Sequence, residues 1–196
     1  MSRERQPLVV LIAGPNGAGK STAAPRLLQE ALAVSEFVNA DAIAQGLSAF
    51  RPQTVGIPAG RVMLRRLRTL AAAREDFAFE TTLASRSFAP WLERLHKAGY
   101  RVHLAFLCLP SADLAVSRVA ERVRLGGHDV PADVVRRRFA AGVRNFFGLY
   151  QRVADSWQVF DNSELSGPRL IACRDAGCSE RVLDPGAWTN LMEILR

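Results

Sequence analysis

Apolar residues in this chain fall into short continuous runs, separated by stretches in which they recur at helical spacing. Leu8-Val9-Val10-Leu11-Ile12-Ala13 is the first run, bounded by Pro7 and Gly14. Six apolar residues without polar alternation predict a central strand covered on both faces. After a glycine-rich loop, a helix is predicted to about residue 33, with Leu27, Leu28, Ala31 and Leu32 on its apolar face. Glu36-Phe37-Val38-Asn39 predicts a short second strand, and Asp41 follows it. Over residues 58–74, Val62, Met63, Leu67 and Leu70 recur at helical spacing while Arg61, Arg65, Arg66 and Arg68 point mainly outward. Phe77-Ala78-Phe79-Glu80 reads as a third strand ending at Thr81-Thr82. A helix over 88–98 is stopped by Gly99, and a strongly apolar fourth strand over 100–109 is stopped by Pro110.

Two further helices are predicted over 112–125 and 131–150, separated by Gly126-Gly127-His128-Asp129-Val130. A fifth strand covers 157–160, and a strand over 170–174 is added across a Gly167-Pro168 turn. A closing helix occupies 185–195. Strands alternating with helices predict a doubly wound α/β fold: a mainly parallel five-stranded sheet, helices on both faces, and a C-terminal strand addition. The whole chain, 1–196, reads as one domain after a flexible polar start over 1–6.

The composition agrees with a globular α/β domain: 196 residues, 48% hydrophobic and 23% charged. The apolar run near the start is too short for a membrane span or a secretory signal, so no membrane partner is expected. Three cysteines, Cys108, Cys173 and Cys178, lack a paired C-x-x-C spacing and suggest neither a disulfide framework nor a zinc site. The cytoplasm is the expected compartment. Net charge is +7, yet Lys20 and Lys97 are the only lysines, which leaves 24 of the 26 basic residues as arginine. Those arginines are spread along helices rather than gathered in one block with aromatics, which argues against a nucleic-acid partner.

One of the two lysines lies inside Gly14-Pro15-Asn16-Gly17-Ala18-Gly19-Lys20-Ser21, which fits G-x-x-x-x-G-K-[ST] at every fixed position between a strand and a helix. A chance match at this chain's residue frequencies is about one in a thousand. The motif predicts a P-loop NTPase or kinase fold. Its glycines turn backbone N–H groups inward, so the loop and the helix N-terminus form an anion cradle. The ligand expected is ATP with Mg²⁺, bound by Gly14, Asn16, Gly17, Ala18, Gly19, Lys20, Ser21 and Thr22. Lys20 would neutralise the β and γ phosphates and Ser21 would offer its hydroxyl to the metal.

Ligands of open α/β sheets sit at the carboxyl edge, so the other strand ends hold the remaining candidates. Asp41 stands where a carboxylate takes the proton of an acceptor hydroxyl beside the γ-phosphate, and it also suits a cap for the helix after it. Glu80, Thr81 and Thr82 offer one anionic acceptor and two hydroxyls to a polar substrate. Arg118 and Arg122 are four apart on one helix face and can aim at a transferring phosphoryl group. Of Arg136, Arg137 and Arg138, at most two face the site. The glycine loop carrying His128 could hinge a lid. Asn162 and Arg169 flank the end of the fifth strand, where the nucleotide base is expected, with Arg169 stacking on it. No later strand ends in a Walker B aspartate and no second signature loop is present, which disfavours an ABC-type ATPase.

Taken together, the chain resembles the zeta-toxin family of P-loop kinases over residues 8–174, particularly its compact bacterial branch. The resemblance is carried by the phosphate loop through Thr22, Asn39-Ala40-Asp41, Ala59-Gly60-Arg61, Asp76-Phe77-Ala78-Phe79-Glu80-Thr81-Thr82, Arg118, Glu121-Arg122-Val123, Gly126-Gly127-His128-Asp129-Val130-Pro131 and Asp161-Asn162-Ser163. It implies that Asp41 is the general base and that Lys20 and two arginines support the γ-phosphate. The acceptor side would hold Glu80, Thr81 and Thr82, with Arg61 and His128. The implied activity is ATP-dependent phosphorylation of UDP-N-acetylglucosamine on the sugar 3'-hydroxyl, by a toxin with a possible antitoxin partner. Two alternatives remain on the residues alone: a kinase of another acceptor (a nucleoside, NAD or a nucleic-acid end), or a nucleotide switch without transferase activity.

Overall fold

A computed structural model of the chain describes residues 5–30, 32–127, 129–164 and 166–195. Residues 1–4, Ala31, His128, Leu165 and Arg196 lie outside the described residues, and so do the readings made of them above. Strand β1 (Leu8–Ala13) is the predicted six-residue run, buried along its whole length. It pairs in parallel with β3 (Phe77–Thr81) on one side and β4 (Arg101–Cys108) on the other. The short β2 (Glu36–Val38) lies outside β3, and β5 (Ser156–Asp161) lies outside β4, both parallel.

These five parallel strands are as expected, but the sheet has seven strands, in the order β2-β3-β1-β4-β5-β6-β7. Both added strands, β6 (Arg169–Arg174) and β7 (Arg181–Val182), are antiparallel. The seventh escapes a sequence reading because two exposed residues carry no hydrophobic alternation.

Alternate side chains of β1 feed two cores. Val9, Leu11 and Ala13 enter one with Phe77, Phe79, Phe106 and Trp157, beneath α3 (Gly56–Ala72), α4 (Ala89–Lys97) and α8 (Pro185–Glu193). Leu8, Val10 and Ile12 enter the other, beneath α1 (Lys20–Pro25), α5 (Ala112–Arg124) and α6 (Ala132–Asn145). The chain closes its helices with α2 (Ala40–Leu47) after β2 and α7 (Gln151–Val153) before β5.

Three helical expectations need correction. The helix expected over 131–150 is α6 to Asn145 and then π-helical over Phe146–Tyr150. The first helix ends as an α-helix at Pro25 and continues as a π-helical segment, Arg26–Glu30. Pro25 has no N–H to donate, and the wider turn accommodates that gap. On α3 the buried positions are Ala59, Met63, Leu67 and Leu70, while Val62 is 41% exposed on the flank. Among the described residues no helix is long and apolar enough to cross a membrane.

The chain leaves β1 toward β2 and β3 on one side and reaches β4 on the other. The carboxyl end of β1 is therefore the topological switch point, where the crevice of an open α/β sheet forms.

Candidate functional site

The loop after β1 folds back on itself at that switch point. Gly14 has φ 143°, and a Cβ there would stand 2.2 Å from the Leu107 carbonyl oxygen of β4, so only glycine lets the loop pass. Gly19 has φ 74° and caps α1 without a side-chain hydrogen bond, leaving the first helical N–H groups to a ligand.

Lys20 begins α1 and is 5% exposed. Its Nζ donates to the Pro15 carbonyl at 2.8 Å and lies 3.5 Å from Glu80 Oε1. Burial pushes the Lys20 pKa down. The charges of Glu80 and Asp41 pull the other way without cancelling it, and Arg122 adds to the lowering.

Glu80, at the end of β3, is the hub of the next layer. Ser21 donates its hydroxyl to Glu80 Oε2 at 2.7 Å, and Asn39 donates its amide to the same oxygen at 2.7 Å. Glu80 therefore faces the phosphate loop. Thr81 and Thr82 turn inward instead: their hydroxyls accept from the backbone of Leu83 at 3.1 Å and of Ala84 at 3.4 Å. They shape the turn after β3 and line neither cleft described below.

Asp41 lies in the first turn of α2 but does not cap it. Asn39 does, its side-chain oxygen accepting from the backbone N–H of Asp41 at 2.7 Å and of Ala42 at 3.1 Å. The Asp41 carboxylate is thereby left to a cleft of about 550 Å³, which it shares with Ser21, Gln45, Gln53, Arg122 and Arg138. A second cleft of about 400 Å³ opens on the other side of the loop, walled by Thr22, Leu27, Phe160, Asn162 and Pro168.

The arginines separate by role. Arg118 donates to the carbonyls of Asn162 and Ser163, both at 2.6 Å, and Asn162 in turn donates its amide to the Ala18 carbonyl at 2.8 Å. Arg118 thus braces the wall of the second cleft against the phosphate loop and is turned away from Asp41. Arg122 reaches the first cleft. Arg138 joins it there, its Nη1 3.4 Å from Asn16 Oδ1. Arg136 is instead paired with Asp113, and Arg137 is exposed.

Arg169, expected to stack on a base, is held by Asp161 at 3.2 Å and by Asp184, and is absent from the wall of the second cleft. Arg61 is exposed on α3 and lines neither cleft. Asn39 stands among the segments that carry the resemblance but has no role assigned there, and Arg138 is not distinguished from Arg136 and Arg137 by sequence. Only the N-x-D spacing and the helix phase hinted at them.

Residues 9–149 match the family model described as AAA domain (AAA_33). An uncharacterized protein of Haemophilus influenzae is 27% identical over 130 residues, covering 66% of this chain and 91% of that protein. Among solved structures, the AvrRxo1-ORF1:AvrRxo1-ORF2 complex with ATP superposes with a TM-score of 0.77 at 17% identity, over 100% of this chain and 66% of that one. The PezAT chromosomal toxin–antitoxin system of Streptococcus pneumoniae gives a TM-score of 0.60 at 17% identity, over 81% of this chain and 68% of that one. The chain spans just under two thirds of the length of the AvrRxo1 chain. These likenesses concern the fold.

Proposed function

The chain belongs to the AAA domain family (AAA_33), and from that membership and the geometry of its two clefts we propose that it is an ATP-dependent kinase of a small hydroxyl-bearing acceptor. The observation that carries this reading is the first cleft. A carboxylate with no capping duty, Asp41, faces it together with the phosphate-loop hydroxyl of Ser21 and two arginines, Arg122 and Arg138. A hydrolytic switch has no need of an open cleft of that size beside a base.

ATP fits the loop, because the glycine cradle offers backbone donors and its path depends on Gly14 and Gly19, where a Cβ would strike Leu107 O and Asn162 Nδ2. The base fits the apolar second cleft, between Leu27, Phe160 and Pro168. Magnesium fits the donor set: Ser21 and Glu80 present hard oxygens 2.7 Å apart, and this metal takes one or two such groups plus substrate phosphates. When bound with the nucleotide it would neutralise charge on the β and γ oxygens.

In the transfer, Asp41 accepts the proton of the acceptor hydroxyl and that oxygen attacks the γ-phosphorus. The bond from the γ-phosphorus to the β–γ bridging oxygen breaks, and ADP leaves with the electron pair. Lys20, Arg122 and Arg138 hold the charge on the moving phosphoryl group.

The acceptor best matching the cleft is a sugar nucleotide, UDP-N-acetylglucosamine at its 3'-hydroxyl. Gln45 and Gln53 supply amide donors and acceptors beside two arginines, a set suited to a uracil ring and a diphosphate. The zeta-toxin resemblance supports the same acceptor. The fold shared with AvrRxo1-ORF1:AvrRxo1-ORF2 and PezAT favours a toxin with an antitoxin partner.

The test is incubation with ATP, Mg²⁺ and UDP-N-acetylglucosamine, followed by mass spectrometry for one added phosphoryl group. Asp41→Asn should abolish transfer, by at least about 100-fold, while leaving ATP affinity within twofold or so. Loss of ATP binding in that variant would return Asp41 to a structural role. No product from this acceptor or from a metabolite extract, with ATP still slowly hydrolysed, would favour a switch.

A further inference from the structure

We infer that Asn39 is a positioning residue, which through one side-chain amide sets both the carboxylate of Glu80 and the helix that carries Asp41. The inference rests on the kinase reading and extends it to a residue at the edge of the first cleft that acts through its neighbours.

Asn39 follows β2 in an extended conformation, φ −128° and ψ 122°, and its carbonyl oxygen accepts from Ile43 N at 3.1 Å as α2 begins. Its side chain then works in two directions. Oδ1 accepts from Asp41 N at 2.7 Å and Ala42 N at 3.1 Å; Nδ2 donates to Glu80 Oε2 at 2.7 Å and approaches Ser21 Oγ at 3.4 Å. The partners determine which way the amide points. Two backbone N–H groups accept nothing, so they require the oxygen, and a carboxylate donates nothing, so it requires the NH₂.

Capping alone does not explain an asparagine here. Aspartate and serine cap as well as asparagine does. Aspartate would turn a second carboxylate toward Glu80, and serine lacks the length to reach it. Asparagine alone among these joins an acceptor on one side to a donor on the other.

The other groups on Glu80 come from the phosphate loop: the Ser21 hydroxyl on Oε2 and the Lys20 ammonium 3.5 Å from Oε1. Both are the groups the nucleotide and its metal engage. Asn39 is the one of these three donors that lies outside the phosphate loop and α1, so its amide keeps Glu80 aimed when Lys20 and Ser21 are drawn to phosphate and metal.

The test compares the full-length protein with Asn39→Ser and Asn39→Asp, Glu80→Gln, and the double variant Asn39→Ser/Glu80→Gln. Thermal unfolding reports on the cap. Calorimetric ATP binding with and without Mg²⁺ reports on the carboxylate, independently of any acceptor. Asn39→Ser is expected to melt close to wild type, and Asn39→Asp, which keeps the cap but sets a second carboxylate against Glu80, to melt lower; both should bind ATP alone normally. Each should lose roughly tenfold in the Mg²⁺-dependent gain of ATP affinity, the scale of removing a group that orients a metal ligand. In the Glu80→Gln background, Asn39→Ser should add nothing further.

Wild-type Mg²⁺ dependence in both single variants would leave Asn39 a cap and overturn the inference. An effect of Asn39→Ser that persists undiminished without the Glu80 charge would overturn the coupling to Glu80. A wild-type protein that binds no ATP would refute the kinase reading itself, and this inference with it. Missing acceptor phosphorylation alongside the expected binding pattern would refute only the acceptor.

Discussion

Replacing Lys20 by methionine should separate what this residue does for the fold from what it does for the ligand. Its ammonium is 5% exposed and 3.5 Å from Glu80. Two unit charges at that distance attract by about 5 kcal/mol at an effective dielectric constant of about 20. Removing an ion from water costs several kcal/mol as well. The direction of the shift decides between them: the Lys20 pKa lies below its ordinary value, with burial the largest cause, so the surroundings disfavour the charged form on balance. Methionine has similar length and no charge to bury. Glu80 keeps its hydrogen bonds from Ser21 and Asn39.

Lys20→Met is therefore expected to leave the nucleotide-free protein no less stable than wild type, because Glu80 keeps two of its three partners; were the pair instead a net stabiliser, removing one partner would cost about 3–5 kcal/mol, or roughly 6–20 °C in Tm for a domain of this size. It should also weaken ATP binding at least tenfold. The pH dependence has a definite sign. A lysine with a lowered folded pKa penalises the fold fully below that pKa, and the penalty fades as pH rises toward the unfolded value of 10.5. The stability of the variant relative to wild type should thus fall between neutral and strongly alkaline pH. Differential scanning fluorimetry at pH 7 and pH 10, with and without ATP, reads all three effects. A variant that melts several degrees below wild type without nucleotide would refute the reasoning, because the Glu80 attraction would then outweigh desolvation.

Arg118→Ala should raise the KM for ATP about tenfold with kcat nearly unchanged, since two charge-assisted hydrogen bonds that brace the second cleft are lost. Arg138→Ala should do the reverse, lowering kcat about 100-fold with little change in KM. Steady-state kinetics of the pair would sink this division of roles if both variants changed the same parameter. His103 gives a stability test far from the clefts. It is buried, its Nδ1 is 2.8 Å from Ser156 Oγ, and burial pushes its pKa down to about 4, opposed by Gln158 and Asp175 and helped by Arg101. The unfolded chain then takes up a proton near pH 6.5 that the fold resists, so stability falls as pH drops from about 6.5 toward 4, by about 3 kcal/mol for this group. Urea titrations of wild type and His103→Gln across that window should diverge in slope, and parallel curves would exclude His103 as the cause.

Much of the architecture was legible because it is local. Six apolar residues in a row, bounded by Pro7 and Gly14, are too few for a buried helix and fit a strand covered on both faces, and β1 is that strand. The phosphate loop is likewise a matter of spacing, its glycines standing where φ is positive or a neighbouring carbonyl leaves no room. The position of Asp41, just after a strand and at the start of a helix, was legible from the alternating α/β pattern. Pro25 was equally visible, and its missing N–H announced the break in the first helix that the apolar periodicity alone smoothed over.

The tertiary structure decided which polar groups meet. Glu80 and Ser21 are 59 residues apart, Arg118 and Asn162 are 44 apart, and Arg138 and Asn16 are 122 apart. Whether such pairs touch depends on the register of parallel strands and the rotational phase of each helix. One residue of shift on α6 would bring Arg137 to the cleft in place of Arg138. The same placement turned Glu80 from an acceptor contact into a partner of Ser21, gave Arg118 to two loop carbonyls, and gave the cap of α2 to Asn39. Backbone chemistry and periodicity act between neighbours in the chain and can be read from it. The site's division of labour comes from side chains meeting across a sheet whose strand order no local pattern encodes.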